Sequence, residues 1–353
     1  MGLDTLSDVL RRIHLRGTLL FHVVGGSPWV VEAPPASDIA AAVMPGAGHV
    51  MAYHVVASGS CWAAVAGAAP VRAGRGDVLV CARGDAHVLS SAPGMRAGYA
   101  VNPFFVAASE RAPFFLRVRG SEVTPSRADA EVAGDETTLI CGFFGCDSQP
   151  FNPLLANLPR LLHVRHRDDG GHSLIAGFIR TAVVESADRR PGGEAVLERL
   201  SEMMFVDLVR SHLEGLPGDH TGWLAGLRDR FVGRALALLH ERPAQRWTVD
   251  ALADRVGLSR SALHDRFLLL IGCAPMQYLG SWRMQLAADL LAHSDATIVS
   301  VALQVGYESE AAFVRAFKRS TGLPPGQWRR ERTRGSSGSG AARVETRPPA
   351  ARG

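Results

Sequence analysis

Two stretches near the end of this 353-residue chain repeat one another, and the repeat constrains the fold more tightly than any other feature of the sequence. Laying WTVDALADRVGLSRSALHDRFLLLIGCAP (247–275) over ATIVSVALQVGYESEAAFVRAFKRSTGLPP (296–325) places Phe267 on Phe317, Gly272 on Gly322 and Pro275 on Pro325, each at an offset of 50. Gly257 falls on Gly306, at an offset of 49. Self-similarity at a fixed offset marks a copied supersecondary unit.

The spacing within each copy predicts a helix, a turn and a second helix. Thr248 caps a short helix with Leu252, Ala253 and Val256 on its apolar face, Gly257 permits a left-handed turn, and Leu258 plugs the gap. Ser259 caps the next helix, which Leu263 and Phe267 anchor at i, i+4. In the second copy Val301, Ala302 and Val305 form the first face, Gly306-Tyr307 the turn, Ser309 the cap, and Phe313 and Phe317 the anchors. Arg260, Ser261, His264 and Asp265 are left facing outward in the first unit, and Glu310, Ala311, Val314 and Arg315 in the second. Polar side chains at the start of a helix whose other face is locked in a small core suit base-edge readout in a major groove. Helix N-termini and flanking Arg or Lys then hold phosphates. Between the copies, PMQYLGSWRMQLAADLLAHSD (275–295) predicts one helix packing through Met284, Leu286, Leu290 and Leu291. A rigid connector of about four to five turns sets two reading helices about one DNA turn, roughly 34 Å, apart.

Charge segregates in the same direction. Residues 1–222 carry 19 Arg against 23 acids, whereas 223–334 carry 15 Arg and one Lys against 10 acids. That lysine, Lys318, is the only one in the chain. The net charge of +4 therefore hides an acidic front and a basic back, which assigns nucleic-acid contact to the last third. Arg-rich coding explains Arg over Lys but not the segregation. A 47% apolar and 20% charged composition excludes wholesale disorder. The start MGLDTLSDVLRR lacks a signal pattern, and five scattered cysteines form no disulfide framework, so a reducing, cytoplasmic setting is expected. From Ile39 to Val71 there is no charged residue, but Pro45 and repeated Gly, Ser and His break every window that might span a membrane. That stretch reads as short buried strands with Gly turns.

Residues 13 to about 145 are strand-like, with runs such as GTLLFHVV, HVMAYHVV, GDVLVCA and TTLICGFF between turn clusters, the pattern of a barrel or sandwich. After Pro153 the texture is helical. The fold class expected is α+β: an N-terminal β-barrel (1–152), a helical region serving dimerisation or linkage (153–218), an all-α domain with two helix-turn-helix units (219–331), and a disordered basic tail (332–353). Leu197, Leu200, Met204 and Leu208 make a stripe on the 194–215 helix that is either core of its own domain or a dimer seam. Cys141 and Cys146 bracket GFFG. A tight turn there brings the sulfurs together as a redox pair, while a straight strand sends them to opposite faces as core residues.

Residues 223–330 resemble the DNA-binding domain of the AraC/XylS family of transcription regulators, most closely in GYESEAAFVRAFKRSTGLPPGQWRR (306–330). The resemblance implies base-edge readers at Ser261, His264 and Asp265, then Glu310, Ala311 and Arg315, with Arg260, Arg266, Lys318 and Arg319 on phosphates. Arg315 is the strongest reader, because a guanidinium pairs bidentately with guanine. Asp265 and Glu310 either accept from cytosine or face water. The front is similar to the cupin-type sensing domain of one branch of that family. Gly76, Arg83-Gly84 and His87 approximate the second cupin motif, with Ala82 in place of proline, and SPWVVEAP (27–34) is a further match. The first motif's H-x-H and glutamate are missing: Tyr53-His54-Val55 has one histidine, and no Glu occurs between Glu32 and Glu110. His49, His54 and His87 are thus candidates for an effector or metal site, or are satisfied barrel histidines. The implied protein is not an enzyme and needs no cofactor. It is a promoter-binding regulator, a homodimer whose barrel senses a small effector, and it meets RNA polymerase if it activates. A metal-dependent cupin enzyme with a helical appendage is the alternative, against which the missing first-motif ligands count.

Overall fold

The computed structural model describes residues 4–97, 113–128, 130–165, 174–188 and 190–337. One long strand organises the front half. β1 (Arg16–Ala33) pairs through its first half with β9 (Thr137–Cys146) and β7 (Phe114–Gly120), and through its last residues with β6 (His87–Ser90). The register slips between Gly26 and Trp29, so the strand bends from one sheet into the other. The ladder runs β10 (Leu161–Val164), β5 (Val78–Cys81), β2 (His49–Ser58), β9, β1, β6, β3 (Ser60–Val65), β4 (Val71–Gly74), while β8 (Glu122–Pro125) pairs β7. The result is a nearly closed barrel.

Side-chain alternation along these strands divides the apolar residues into two sets. Ala52 and Val56 of β2, Leu79 and Cys81 of β5, and Leu139, Cys141 and Phe143 of β9 fill the barrel with Phe21 and Trp29. Met51, Tyr53, Val55, Val78, Val80, Ile140 and Phe144 face outward, under helices α4 (Leu174–Asp188) and α5 (Gly193–Gly215). The Tyr53 ring stacks on Phe144 with centroids 4.5 Å apart, and Phe144 meets Phe205 of α5 edge-on at 4.9 Å. Gly142 makes that layer possible, because a Cβ there would lie 2.0 Å from the Thr18 carbonyl and 2.6 Å from Tyr53 Oη. Leu197, Met204 and Leu208 of the expected stripe are core, joined by Ser201, Phe205 and Val209. The opposite side of α5 still exposes Val196 and Met203, and α4 exposes Val183 and Val184.

The structure departs from the sequence reading at two places. Residues 36–43, inside the stretch read as strand-like, form helix α2 (Ala36–Val43), with Ala36, Ile39 and Val43 buried at helical spacing. Helix α13 runs Pro325–Ser337, so the expected tail does not begin at 332; residues 338–353 lie outside the described residues.

The first helix, α1 (Thr5–Arg12), packs on the back half, against α7 (Arg230–Glu241) and α10 (Pro275–His293). A buried relay ties it down. Trp223 Nε1–H donates to Tyr278 Oη (2.8 Å), Tyr278 hydrogen-bonds His240 Nε2 (2.8 Å), and His240 Nδ1 meets the Asp8 carboxylate (2.9 Å). Next to it, His14 lies between Asp147 (2.9 Å) and Asp289 (3.2 Å), while Arg12 reaches Asp289 and Arg332 reaches Asp147. His14 holds φ at +47°, which non-glycine residues seldom adopt.

The hydrogen bond to Asp147, then that to Asp289, raises the His14 pKa to about 9. Burial works against ionisation of Asp289, yet hydrogen bonds from His14 and Arg12 hold it down to about 2. A histidine raised on folding contributes fully below its unfolded value of 6.5 and loses that contribution as pH rises through about 9. Amide exchange in α1 is therefore expected to quicken as pH climbs through this window, after correction for intrinsic rates, and His14→Gln to remove the dependence. Protection that stays flat across the window contradicts the junction's electrostatics.

Candidate nucleic-acid interface

Both repeats fold as spaced. In the first, Thr248 caps α8 (Val249–Val256) and Ser259 caps α9 (Arg260–Ile271), its Oγ accepting from the Ala262 amide at 3.3 Å. In the second, Thr297 caps α11 (Ile298–Gln304) and Ser309 caps α12 (Glu310–Thr321), accepting from the Ala312 amide at 3.2 Å. Gly257 and Gly306 make the turns at φ +81° and +84°. Gly272 and Gly322 close α9 and α12 in the same left-handed conformation, and Pro275 and Pro325 open α10 and α13. The duplication also reaches a ring pair whose second member lies outside the aligned stretches. Phe267 meets Tyr278 edge-on at 5.9 Å, and 50 residues later Phe317 meets Trp328 edge-on at 5.8 Å.

Leu263, Phe267, Phe313 and Phe317 are fully buried and fix the inner faces of the two second helices. Ser261, Asp265, Glu310, Ala311 and Arg315 are exposed, and His264 half-exposed. His264 Nδ1 lies 3.2 Å from the Asp265 carboxylate, so these two neighbours act as a pair. On α12, Ala311, Arg315 and Lys318 fall on one outward stripe at i, i+4, i+7. Among the described residues, no ion pair occupies Arg315, Lys318 or Arg319. The first unit differs. Arg260 lies 3.4 Å from Asp250, and Arg266 grips Asp229, the cap of α7, with contacts of 2.5 and 2.9 Å. Arg266 thus straps α9 to α7 in this structure. Farther along α9, Leu268 and Leu269 are exposed, with no periodic signal in the sequence to mark them.

α10 is the single connecting helix, 19 residues long. Met284, Leu286 and Leu291 are buried as expected and Leu290 partly so, but larger anchors are Tyr278 and Trp282. Arg283 donates to the Pro243 and Gln245 carbonyls, and a Cβ at Gly306 would lie 2.9 Å from its Nη2. One side chain of the connector therefore touches the lead-in to the first unit and the turn of the second. An Arg246–Glu308 ion pair also links the two.

Inside the barrel, the three candidate histidines separate. His54 on β2 and His87 on β6 point at each other across the two sheets, with Nε2 atoms 2.7 Å apart. His49 lies five residues before His54 on the same extended strand, and its Nε2 bonds the Ala82 carbonyl at 2.8 Å. It does not join them. Cys81, at the end of β5, does: its sulfur and one ring nitrogen from each of His54 and His87 lie within 4.8 Å of one another. Burial lowers the pKa of both imidazoles, so the pair is neutral. Cys141 and Cys146 belong to the continuous strand β9 and enter opposite packing layers, one in the barrel and one beneath the helices. The tight turn a redox pair requires is absent from β9. Burial also pushes the Cys146 thiol up to about 12.

A barrel of this topology joined to two capped, outward-facing helix-turn-helix units defines a DNA-binding regulator. A cupin family model matches residues 4–214 and a helix-turn-helix domain model residues 252–331. The chain belongs to the AraC family of transcription regulators. An AraC-like transcription regulator of Streptomyces lividans is 35% identical over 339 residues, covering 94% of this chain and 99% of its own. The regulator AlkR of Acinetobacter baylyi is 27% identical over 331 residues, covering 93% of this chain and all of its own. Among solved structures, the DNA-binding domain of the global transcriptional factor AdpA in complex with a target DNA is 33% identical. That match covers 30% of this chain and 96% of the other, with a TM-score of 0.29. No helix among the described residues is long and apolar enough to cross a membrane.

Proposed function

We propose that α9 and α12 enter successive major grooves on one face of a promoter duplex. Ser261, His264 and Asp265 read one half-site, and Glu310, Ala311 and Arg315 the other. Arg260, Arg266, Lys318 and Arg319 take phosphates, Arg260 and Arg266 exchanging their Asp250 and Asp229 contacts for them. The carrying observation is that both helices present a serine-capped, solvent-facing first half while their inner faces are locked by paired aromatic rings. The protein acts in the cytoplasm as a non-enzymatic homodimer, its α4–α5 surface forming the seam. The exposed Val183, Val184, Val196 and Met203 favour that surface. An effector in the barrel shifts how the front half holds the back, and RNA polymerase is a partner if the regulator activates. The ligand must bind the two arrangements unequally for any regulation to follow.

Selecting duplexes from a random pool with the purified chain, then measuring affinity against salt, tests the DNA reading. A linear fall of log affinity with log salt is expected, together with a preferred sequence. Equal affinity for every duplex contradicts it.

A further inference from the structure

We propose that His14, Asp289 and His293 form a binding site for one divalent ion of the zinc class, which bridges the front half to the connector helix α10. His14 comes from the segment after α1, while Asp289 and His293 stand at i, i+4 on one face of α10. One ring nitrogen of each histidine and a carboxylate oxygen lie within 4.8 Å of one another. Asp289 divides its two oxygens between different partners. Oδ2 accepts from Arg12 at 2.7 Å, while Oδ1 faces His14 Nε2 at 3.2 Å and His293 Nδ1 at 3.1 Å. Donors held about 2.0–2.2 Å from a common ion stand roughly 3.0–3.5 Å apart, so this spacing needs little adjustment. The two imidazole rings already lie together, with centroids 4.2 Å apart. On its far side His14 Nδ1–H donates to Asp147 at 2.9 Å, the carboxylate support that orients a ligating imidazole. His14 is also the one non-glycine position with positive φ among the described residues, and backbone strain of that kind gathers at functional positions. His14 and Asp289 are half-buried and His293 is exposed, which leaves the ion a path from solvent. A donor set of two imidazoles and one carboxylate favours zinc and its transition-metal neighbours over magnesium and calcium.

Binding changes no oxidation state. The proton on His14 Nε2 leaves to solvent, and the His293 ring proton moves from Nδ1 to Nε2. Two ring lone pairs and Asp289 Oδ1 then meet the ion. Arg12 stays on the outer oxygen of Asp289, and Arg332 on that of Asp147. The ion thus joins the segment leading into β1 to the helix that spaces the two helix-turn-helix units, so its occupancy tightens the hold of the front half on the back. The site rests on this junction alone and stands or falls independently of duplex binding.

The test uses the untagged full-length chain, stripped with chelator and titrated with Zn²⁺ against a chromophoric competitor at fixed pH. His293→Ala is expected to hold one ion fewer than the parent, or to bind it about tenfold or more weakly. His14→Gln should do the same from the other side of the junction. Counting ions as a difference between parent and variant removes any held elsewhere in the chain. Saturating Zn²⁺ should also slow amide exchange in α1 and in the last turn of α10 by about tenfold or more in the parent, and in neither variant. A folded variant that keeps the parent's stoichiometry and affinity overturns the proposal, and so does exchange in the parent that saturating Zn²⁺ leaves unchanged. If one variant does not fold, the other decides.

Discussion

Phe317→Ala is expected to lower stability by about 3–5 kcal/mol and to disable the second helix-turn-helix unit. The ring is fully buried, meets Phe313 with centroids 5.6 Å apart and Trp328 edge-on at 5.8 Å, and so joins α12 to α13. Removing it leaves a cavity beneath the one helix that carries Arg315, so the outward stripe loses its fixed orientation. Phe267→Ala should act equally on the first unit, where Tyr278 is the edge-on partner. Its damage should spread further, because Tyr278 is also the hinge of the Trp223–His240–Asp8 relay to α1. Denaturant unfolding followed by tryptophan fluorescence measures both. A loss under about 1 kcal/mol for Phe317→Ala would mean that the second unit is held by something other than its aromatic core.

Arg315→Ala should leave stability within about 0.5 kcal/mol of the parent, since the side chain is exposed. Its cost falls on recognition: about 1–3 kcal/mol of duplex affinity, with relaxed preference at a single base pair. Lys318 on the same stripe supplies the contrast. Without it, binding should weaken about evenly across sequences and the salt slope should fall by about one. Affinity profiles over all single-base variants of a selected site distinguish the two. Arg315→Ala with an unchanged base preference would remove Arg315 from the reading face.

The back half was legible from local rules. Glycines that need φ above zero, serines before an apolar i, i+4 pair and prolines at helix starts are short-range requirements, and two copies printed them twice. Contacts between distant segments left no comparable mark. Arg266 looks in sequence like any cation on an outward face, and only the fold sets Asp229 beside it. Nothing local to Thr5–Arg12 points to the back half, yet Asp8 pairs with His240 across 232 residues. Helix α2 was concealed by its own composition, because an apolar run gives strand and buried helix the same appearance. Cys81 carries no mark in the sequence for a related reason. Sequence motifs supplied His54 and His87, whereas the pairing of β2 with β5, Ala52 opposite Cys81, is what carries the thiol toward them.

The most direct measurement of the central claim is a spacing series. A selected duplex is altered by inserting base pairs between the two half-sites read by α9 and α12, and affinity is measured for each insertion. Two rigidly joined helices on one face of DNA require half-sites about 10–10.5 base pairs apart, so an insertion of about five should reduce binding to that of a single half-site. An unchanged affinity across the whole series would contradict the account.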